Sequence, residues 1–146
     1  MEIKNKKAYF DYEILKEYEA GLGLFGTEIK SIRKGSVDLR DSFVTIKDNE
    51  AYILNMYVAK YDEGNRFNHD ERRTRKLLLH KAEIKKLKEA RQEDGISIIP
   101  LKVYIKKNHA KVLIGLAKGK KLYDKREDIA KKDAERRMQI ALKGNY

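Results

Sequence analysis

The sequence predicts a mainly β protein: a small antiparallel barrel or strongly bent sheet, flanked by two or three helices and followed by a basic C-terminal tail. Three observations predict it. Strand-like segments outnumber helical ones, they come as adjacent pairs joined by short turns, and the strand-helix-strand alternation of a parallel sheet is absent. Tyr9 to Glu19 mixes aromatic and β-branched residues with charges in rough alternation and reads as a half-buried strand. Ala20 to Gly26 (AGLGLFG) is a glycine-punctuated bend, after which Thr27 suits the N-cap of a short helix carrying Ile29, Ile32 and Arg33 and closed by Gly35. Phe43 to Ile46 and Ala51 to Val58 form a hairpin around Asp48-Asn49, and Tyr61 to Arg75 is a long loop without apolar period. Leu77 to Leu79 is a short apolar strand or turn. From Lys81 the spacing of Ile84, Leu87, Lys88 and Arg91 predicts an amphipathic helix ended by Asp94-Gly95. A second, more apolar hairpin runs from Ile96 to Lys106 and from Ala110 to Ala117, with Pro100 marking an edge or a bulge. An OB-like barrel fits this length and strand count, and such barrels present a strand face and loops to oligonucleotides. Domain organisation follows: an OB-like body over 1–117 and a tail over 118–146.

Charge is distributed unevenly. The 146 residues carry 34 Lys plus Arg against 23 Asp plus Glu, a formal charge of +11. Residues 1–71 hold a net −3, 72–91 a net +7, 92–117 a net +2 and 118–146 a net +5. Two basic blocks on an otherwise nearly neutral chain attract polyanions, with binding that weakens steeply as salt rises. The complete lack of Cys excludes disulfides, thiolate zinc sites and cysteine nucleophiles. No apolar run approaches the ~18 residues of a membrane span, and the start MEIKNKKAYFDYEIL contains no leader-like apolar segment, so a soluble, cytoplasmic protein is expected.

Two motifs suggest other chemistry. Gly21 to Gly26 matches the GxGxxG dinucleotide fingerprint, but the preceding strand is studded with charges and a hairpin follows the helix, so the βαβ unit that places a pyrophosphate is lacking. The glycines instead permit a sharp corner at the barrel rim. His69-Asp70 with Glu71 suggests the acid/base group of a ribonuclease; a loop His beside Asp is more often a satisfied turn or a polar contact to RNA. His69, His80 and His109 show no metal-ligand spacing, and no cofactor or metal is expected. Among nine tyrosines, Tyr9, Tyr12, Tyr52, Tyr57, Tyr61, Tyr104 and Tyr123 are candidates for stacking on unpaired bases; Tyr123, flanked by Lys120, Lys121, Lys125 and Arg126, is the favoured one. The tail offers only Ala130, Ala134, Met138 and Ala141, with Leu142 beside them, as an apolar stripe. That buries little, so the tail is expected to be mobile when free and to fold against a partner.

Several stretches, in order, carry a resemblance: YEAG (Tyr18 to Gly21), GTEIKS (Gly26 to Ser31), Asp41-Ser42, GNRFNHD (Gly64 to Asp70), RKLLLH (Arg75 to His80) and AKGKKLYDKR (Ala117 to Arg126). Together they resemble the small protein B family, the tmRNA-binding protein of bacterial trans-translation, from about Lys7 to Met138. The resemblance implies a non-enzymatic OB-like barrel that binds the tRNA-like domain of tmRNA and accompanies it into the A site of a ribosome stalled on an mRNA without a stop codon. It implies an RNA-binding surface at Glu19, Leu78 and His80, with Arg75 and Lys76 in the same basic segment; many members have Asn where this chain has His80. It also implies a tail that becomes helical in the empty mRNA path. Gly119, Lys120, Lys121, Tyr123, Asp124, Lys125 and Arg126 form its start, and other members often carry His at Tyr123. The implied partners are tmRNA and the ribosome, with no membrane and a monomeric protein. A ribonuclease using His69 and a generic OB-fold ribosomal RNA-binding protein are the competing classes.

Overall fold

Turn chemistry and strand period build the sheet. The computed structural model describes residues 2–61 and 68–119. Strands β8 (Ile96–Lys106) and β9 (His109–Gly119) pair antiparallel around Lys107 and Asn108, whose φ angles of 49° and 66° are the left-handed pair of a tight hairpin turn. Asp48 and Asn49, at 52° and 60°, do the same between β4 (Phe43–Lys47) and β5 (Glu50–Leu54). With β1 (Glu2–Lys4), β2 (Tyr12–Leu22) and β7 (Arg75–Leu78), these form one antiparallel sheet in the order β1-β8-β9-β2-β7-β5-β4. A small ribbon pairs β3 (Val37–Asp38) with β6 (Tyr57–Val58). The main sheet is not closed: β1 and β4 are its edges, and it curls until β4 packs against β8. The predicted barrel is therefore realised as a strongly bent, OB-like open sheet.

Two bulges account for both the bend and the packing. One falls in β2 between Ile14 and Lys16, the other in β8 between Pro100 and Lys102. An extra residue in one strand kinks it and reverses which parity faces the core. In β8, Ile96 and Ile98 face the main core, Ile99 and Leu101 face the opposite side, and beyond the bulge Val103 faces the main core again. Pro100 thus sits at a bulge of an internal strand, where a missing N–H is tolerated. The main core gathers Tyr18, Ala20 and Leu22 of β2 with Val112, Ile114 and Leu116 of β9 inside the curl. A second, smaller cluster of Ala8, Ile99, Leu101 and Ala117 lies on the outer face.

That outer cluster is sealed by α1 (Lys6–Asp11), which replaces the strand predicted over Tyr9 to Asp11. Asn5 decides the difference. Its Oδ1 accepts from the Ala8 N–H at 3.3 Å, while its Nδ2 donates to the carbonyls of Pro100 at 3.0 Å and Leu39 at 3.4 Å, tying the first helical turn to the β8 bulge. Helix α2 (Gly26–Arg33) begins two residues earlier than predicted: Phe25 is its N-cap position, and the Glu28 carboxylate accepts from the Phe25 N–H at 2.8 Å. Thr27 is not the cap; its hydroxyl is engaged by His69. Gly35 closes this helix at φ 78°, as the sequence predicts. Helix α3 (Lys81–Arg91) buries Ile84 and Leu87. Among the described residues, no helix is long and apolar enough to cross a membrane.

Candidate nucleic-acid interface

The outer face of the sheet is divided. Helix α1 covers one end of it; among the described residues nothing covers the other end. Tyr18, Ala20 and Leu22 point into the core, so Glu17, Glu19 and Gly21 point out, and on β7 the inward Arg75 and Leu77 leave Lys76 and Leu78 outside. Register aligns these positions across strands. Tyr104 of β8 lies opposite Lys111 of β9, Lys111 opposite Gly21, and Gly21 opposite Leu78; Tyr52 of β5 lies opposite Lys76. Leu78 is 56% exposed, unusual for a Leu on a sheet face. Gly21 allows close approach there: a Cβ on it would sit a tight 3.2 Å from the Leu78 Cβ.

Glu19 stands in this row as an oriented acceptor. The Tyr104 hydroxyl donates to its Oε2, and Lys106 Nζ lies 3.6 Å from the same oxygen. The Tyr104 hydrogen bond, helped by Lys106 and Lys111, holds the Glu19 carboxyl below the ordinary range. Partial burial and the neighbouring carboxylate push the Tyr104 phenol well up, so it remains a donor. An ionised carboxylate of this kind accepts from base amino groups. Lys76 reaches Glu50 at 3.4 Å but stays exposed and available to phosphate. His80 is exposed at the start of α3, where its backbone N–H donates to Glu83 at 3.1 Å.

Of the predicted RNA-binding residues, Glu19, Lys76, Leu78 and His80 share this outward region, whereas Arg75 does not. Its side chain is completely buried and points the other way. Nε donates to Glu28 Oε2; the two terminal nitrogens donate to the carbonyls of Met56 at 2.7 Å, Arg73 at 3.1 Å, Glu71 at 3.2 Å and Asp70 at 3.5 Å. All five donors of the guanidinium are engaged within the protein, leaving none for a phosphate. Burial pushes the Glu28 carboxyl up, but hydrogen bonds from Arg73, the Phe25 N–H and Arg75 outweigh it and hold it below the usual range. Arg75 is thus a structural cation.

His69 is likewise accounted for. Its Nε2 lies 2.9 Å from the Val58 carbonyl, which can only accept, so the ring is assigned as the Nε2–H tautomer and its Nδ1 accepts from the Thr27 hydroxyl at 2.9 Å. Buried with both nitrogens engaged, it is the satisfied loop histidine, not an acid/base group or an RNA contact. The GxGxxG resemblance dissolves too, because Gly21 lies in an antiparallel strand between β7 and β9. Among the predicted stacking tyrosines, Tyr57 lies under the Arg72 guanidinium, Tyr61 under Lys30 and Lys34, and Tyr12 packs against the small cluster beneath α1.

Gly119 ends β9 opposite Tyr12, eight residues along the strand from Lys111. At ~3.4 Å per residue that is about 27 Å of strand between Gly119 and the row of Gly21 and Leu78. The predicted tail residues Lys120, Lys121, Tyr123, Asp124, Lys125 and Arg126 lie outside the described residues. Sequence reasoning names Tyr104 only among the candidate stacking rings and misses Lys111; strand register is what brings both beside Glu19 and Gly21.

A curved antiparallel sheet with cations, an oriented carboxylate and an apolar side chain on an uncovered strand face belongs to the class of OB-like polynucleotide-binding modules. Comparison with known proteins narrows this class. The family model described as SmpB protein matches residues 2–144. An SsrA-binding protein of Carboxydothermus hydrogenoformans is 54% identical over 143 residues, covering 98% of this chain and 96% of the relative. One of Bacillus pumilus is 58% identical, covering 96% and 90% respectively. A chain in the solved structure "tmRNA-SmpB: a journey to the center of the bacterial ribosome" superposes with a TM-score of 0.70 at 48% identity, over 82% of this chain and 84% of that one. The chain belongs to the SmpB family.

Proposed function

We propose that this chain is an RNA-binding adaptor that binds the tRNA-like domain of tmRNA and delivers it to the A site of stalled ribosomes for trans-translation. The proposal rests on family membership, and one geometric observation carries it further: Gly21, the neighbour of Leu78, pairs with Lys111, eight residues and about 27 Å of strand, at ~3.4 Å per residue, from Gly119 at the end of β9, and Glu19 pairs with Leu113, six residues from it. A protein bridging two RNAs needs its two contact regions apart. On this reading the body grips tmRNA, while the tail from Gly119 through Lys120, Lys121, Tyr123, Asp124, Lys125 and Arg126 enters the mRNA channel only where it is empty, so an occupied channel excludes it sterically. The chain acts by binding, not by catalysis, and works in the cytoplasm, where ribosomes are.

Titration of the isolated tRNA-like domain with the full chain and with a chain ending at Lys118 tests this division. Both bind equally, and only the full chain supports peptide tagging on stalled ribosomes. Truncation that abolished tmRNA binding yet spared tagging would reverse the assignment. Competition by tRNA and ribosomal RNA at ~0.15 M salt addresses the alternative of a generic ribosomal RNA-binding protein, because salt removes mainly non-specific phosphate contacts. RNA left intact after long incubation separates an adaptor from a nuclease.

A further inference from the structure

The glycine-rich stretch that the dinucleotide fingerprint fails to explain carries its own signal. Beyond the outward Glu19 and Gly21, the chain stays paired with β7: the Gly23 N–H donates to the Lys76 carbonyl at 3.0 Å. The period of two continues, with Leu24 packed against the core and Phe25 turned out, 56% exposed. Between Glu19 and Phe25 the outward positions are thus two glycines with no side chain, bordered by Leu78 and Lys76. Phe25 is not a loose surface aromatic. The Arg73 guanidinium lies 4.3 Å from its ring centroid, and that guanidinium is itself held by Glu28 at 2.6 Å and by the Gly23 carbonyl at 3.1 Å. With one ring face occupied by a fixed cation, the exposure of Phe25 lies on the other. Ordering the ring in advance lowers the entropic cost of placing a planar group on it.

We propose that Phe25, backed by Arg73, is a stacking platform for an unpaired base of the RNA partner, and that the bare Gly21–Gly23 strip lets the adjoining nucleotide approach the sheet. A base is the fitting occupant because the neighbours are cationic and every base presents a π-face to an aromatic ring. The inference rests on the RNA-binding reading above and extends it by one residue that the sequence did not single out.

The test uses the full chain, the isolated tRNA-like domain of tmRNA and a fully paired RNA duplex. Phe25→Ala weakens binding to the tRNA-like domain about tenfold, within the range of lost base–aromatic stacking. It leaves the salt dependence unchanged, because no phosphate contact is removed, and leaves duplex binding unaltered. Phe25→Trp restores affinity. With 2-aminopurine placed in turn at the unpaired positions, one position shows fluorescence quenching that the wild-type chain produces and Phe25→Ala does not. Wild-type affinity in Phe25→Ala, or a loss that Phe25→Trp fails to rescue, overturns the platform. If Phe25→Ala binds normally while Lys76→Ala does not, the RNA face stands without the platform; if neither matters, nor Leu78→Ala, the RNA-face reading itself fails. A defect confined to ribosome association assigns Phe25 to a different partner and also overturns the proposal.

Discussion

Arg75 and Lys76 are adjacent cations in a strand of four residues, and they have opposite fates. Arg75 points into the curl of the sheet, completely buried, with its whole guanidinium spent on Glu28 and four carbonyls. Lys76 points out, half-exposed, and pairs with Glu50 on the neighbouring strand. The comparison teaches that a basic run on a strand is not a uniform polyanion-binding patch. The pleat sorts it residue by residue into charges that hold the fold and charges left for a partner, and the two kinds answer to different measurements.

The largest expected effect breaks the inward half. Glu28→Gln leaves Arg75 charged and buried without its counter-ion, which costs about 3–5 kcal/mol in chemical denaturation. Unchanged stability would mean that the pair is dispensable. The pH dependence has a definite sign. Because the folded Glu28 pKa is depressed from 4.5, its contribution is fully present above that value and is lost as pH falls through the lower, folded-state value. Glu28→Gln therefore flattens the acid limb of the stability curve, which denaturation at stepped pH reads directly.

Next in size, the outward half is tested without touching the fold. Lys76→Ala weakens RNA binding across sequences and lowers the slope of log affinity against log salt by about one, while stability moves by less than ~0.5 kcal/mol. Leu78→Ala weakens tmRNA binding severalfold with the salt slope unchanged, because it removes apolar contact and not charge; calorimetric titration at two salt concentrations separates the two variants. Asn5→Ala probes the other, covered end of the outer face. It costs about 1 kcal/mol by removing the α1 cap and leaves tmRNA affinity alone. The smallest effect is Tyr104→Phe: the Glu19 carboxyl rises toward its ordinary pKa of 4.5, visible by NMR titration, with little change in stability at this exposed site.

Much of this was legible in advance because local chemistry dictated it. Asp48-Asn49 and Lys107-Asn108 are turn pairs wherever they occur between strands, and Ile84 and Leu87 announce a buried helix face. The sequence starts the first long strand too early because Tyr9 and Phe10 look strand-like, whereas the decisive contacts of Asn5, to Pro100 and Leu39, lie far away in the chain. The sequence groups Arg75 with the RNA surface for a related reason: nothing in the string RKLLLH says which parity faces inward until β7 pairs with β2 and β5. Phe25 passed unnoticed because its value depends on a guanidinium forty-eight residues later in the sequence.

Composition, turn residues and hydrophobic period, all local properties of the chain, were enough to determine a β-rich body, its two long-recognisable hairpins and the two basic blocks. Which cations are buried, which glycines lie beside an exposed leucine, and how far the tail's root stands from the bare face were decided only by tertiary structure. The physical reason is that register and bulges are set by pairing between distant strands, and shifting either by one residue exchanges the inside of the sheet for the outside.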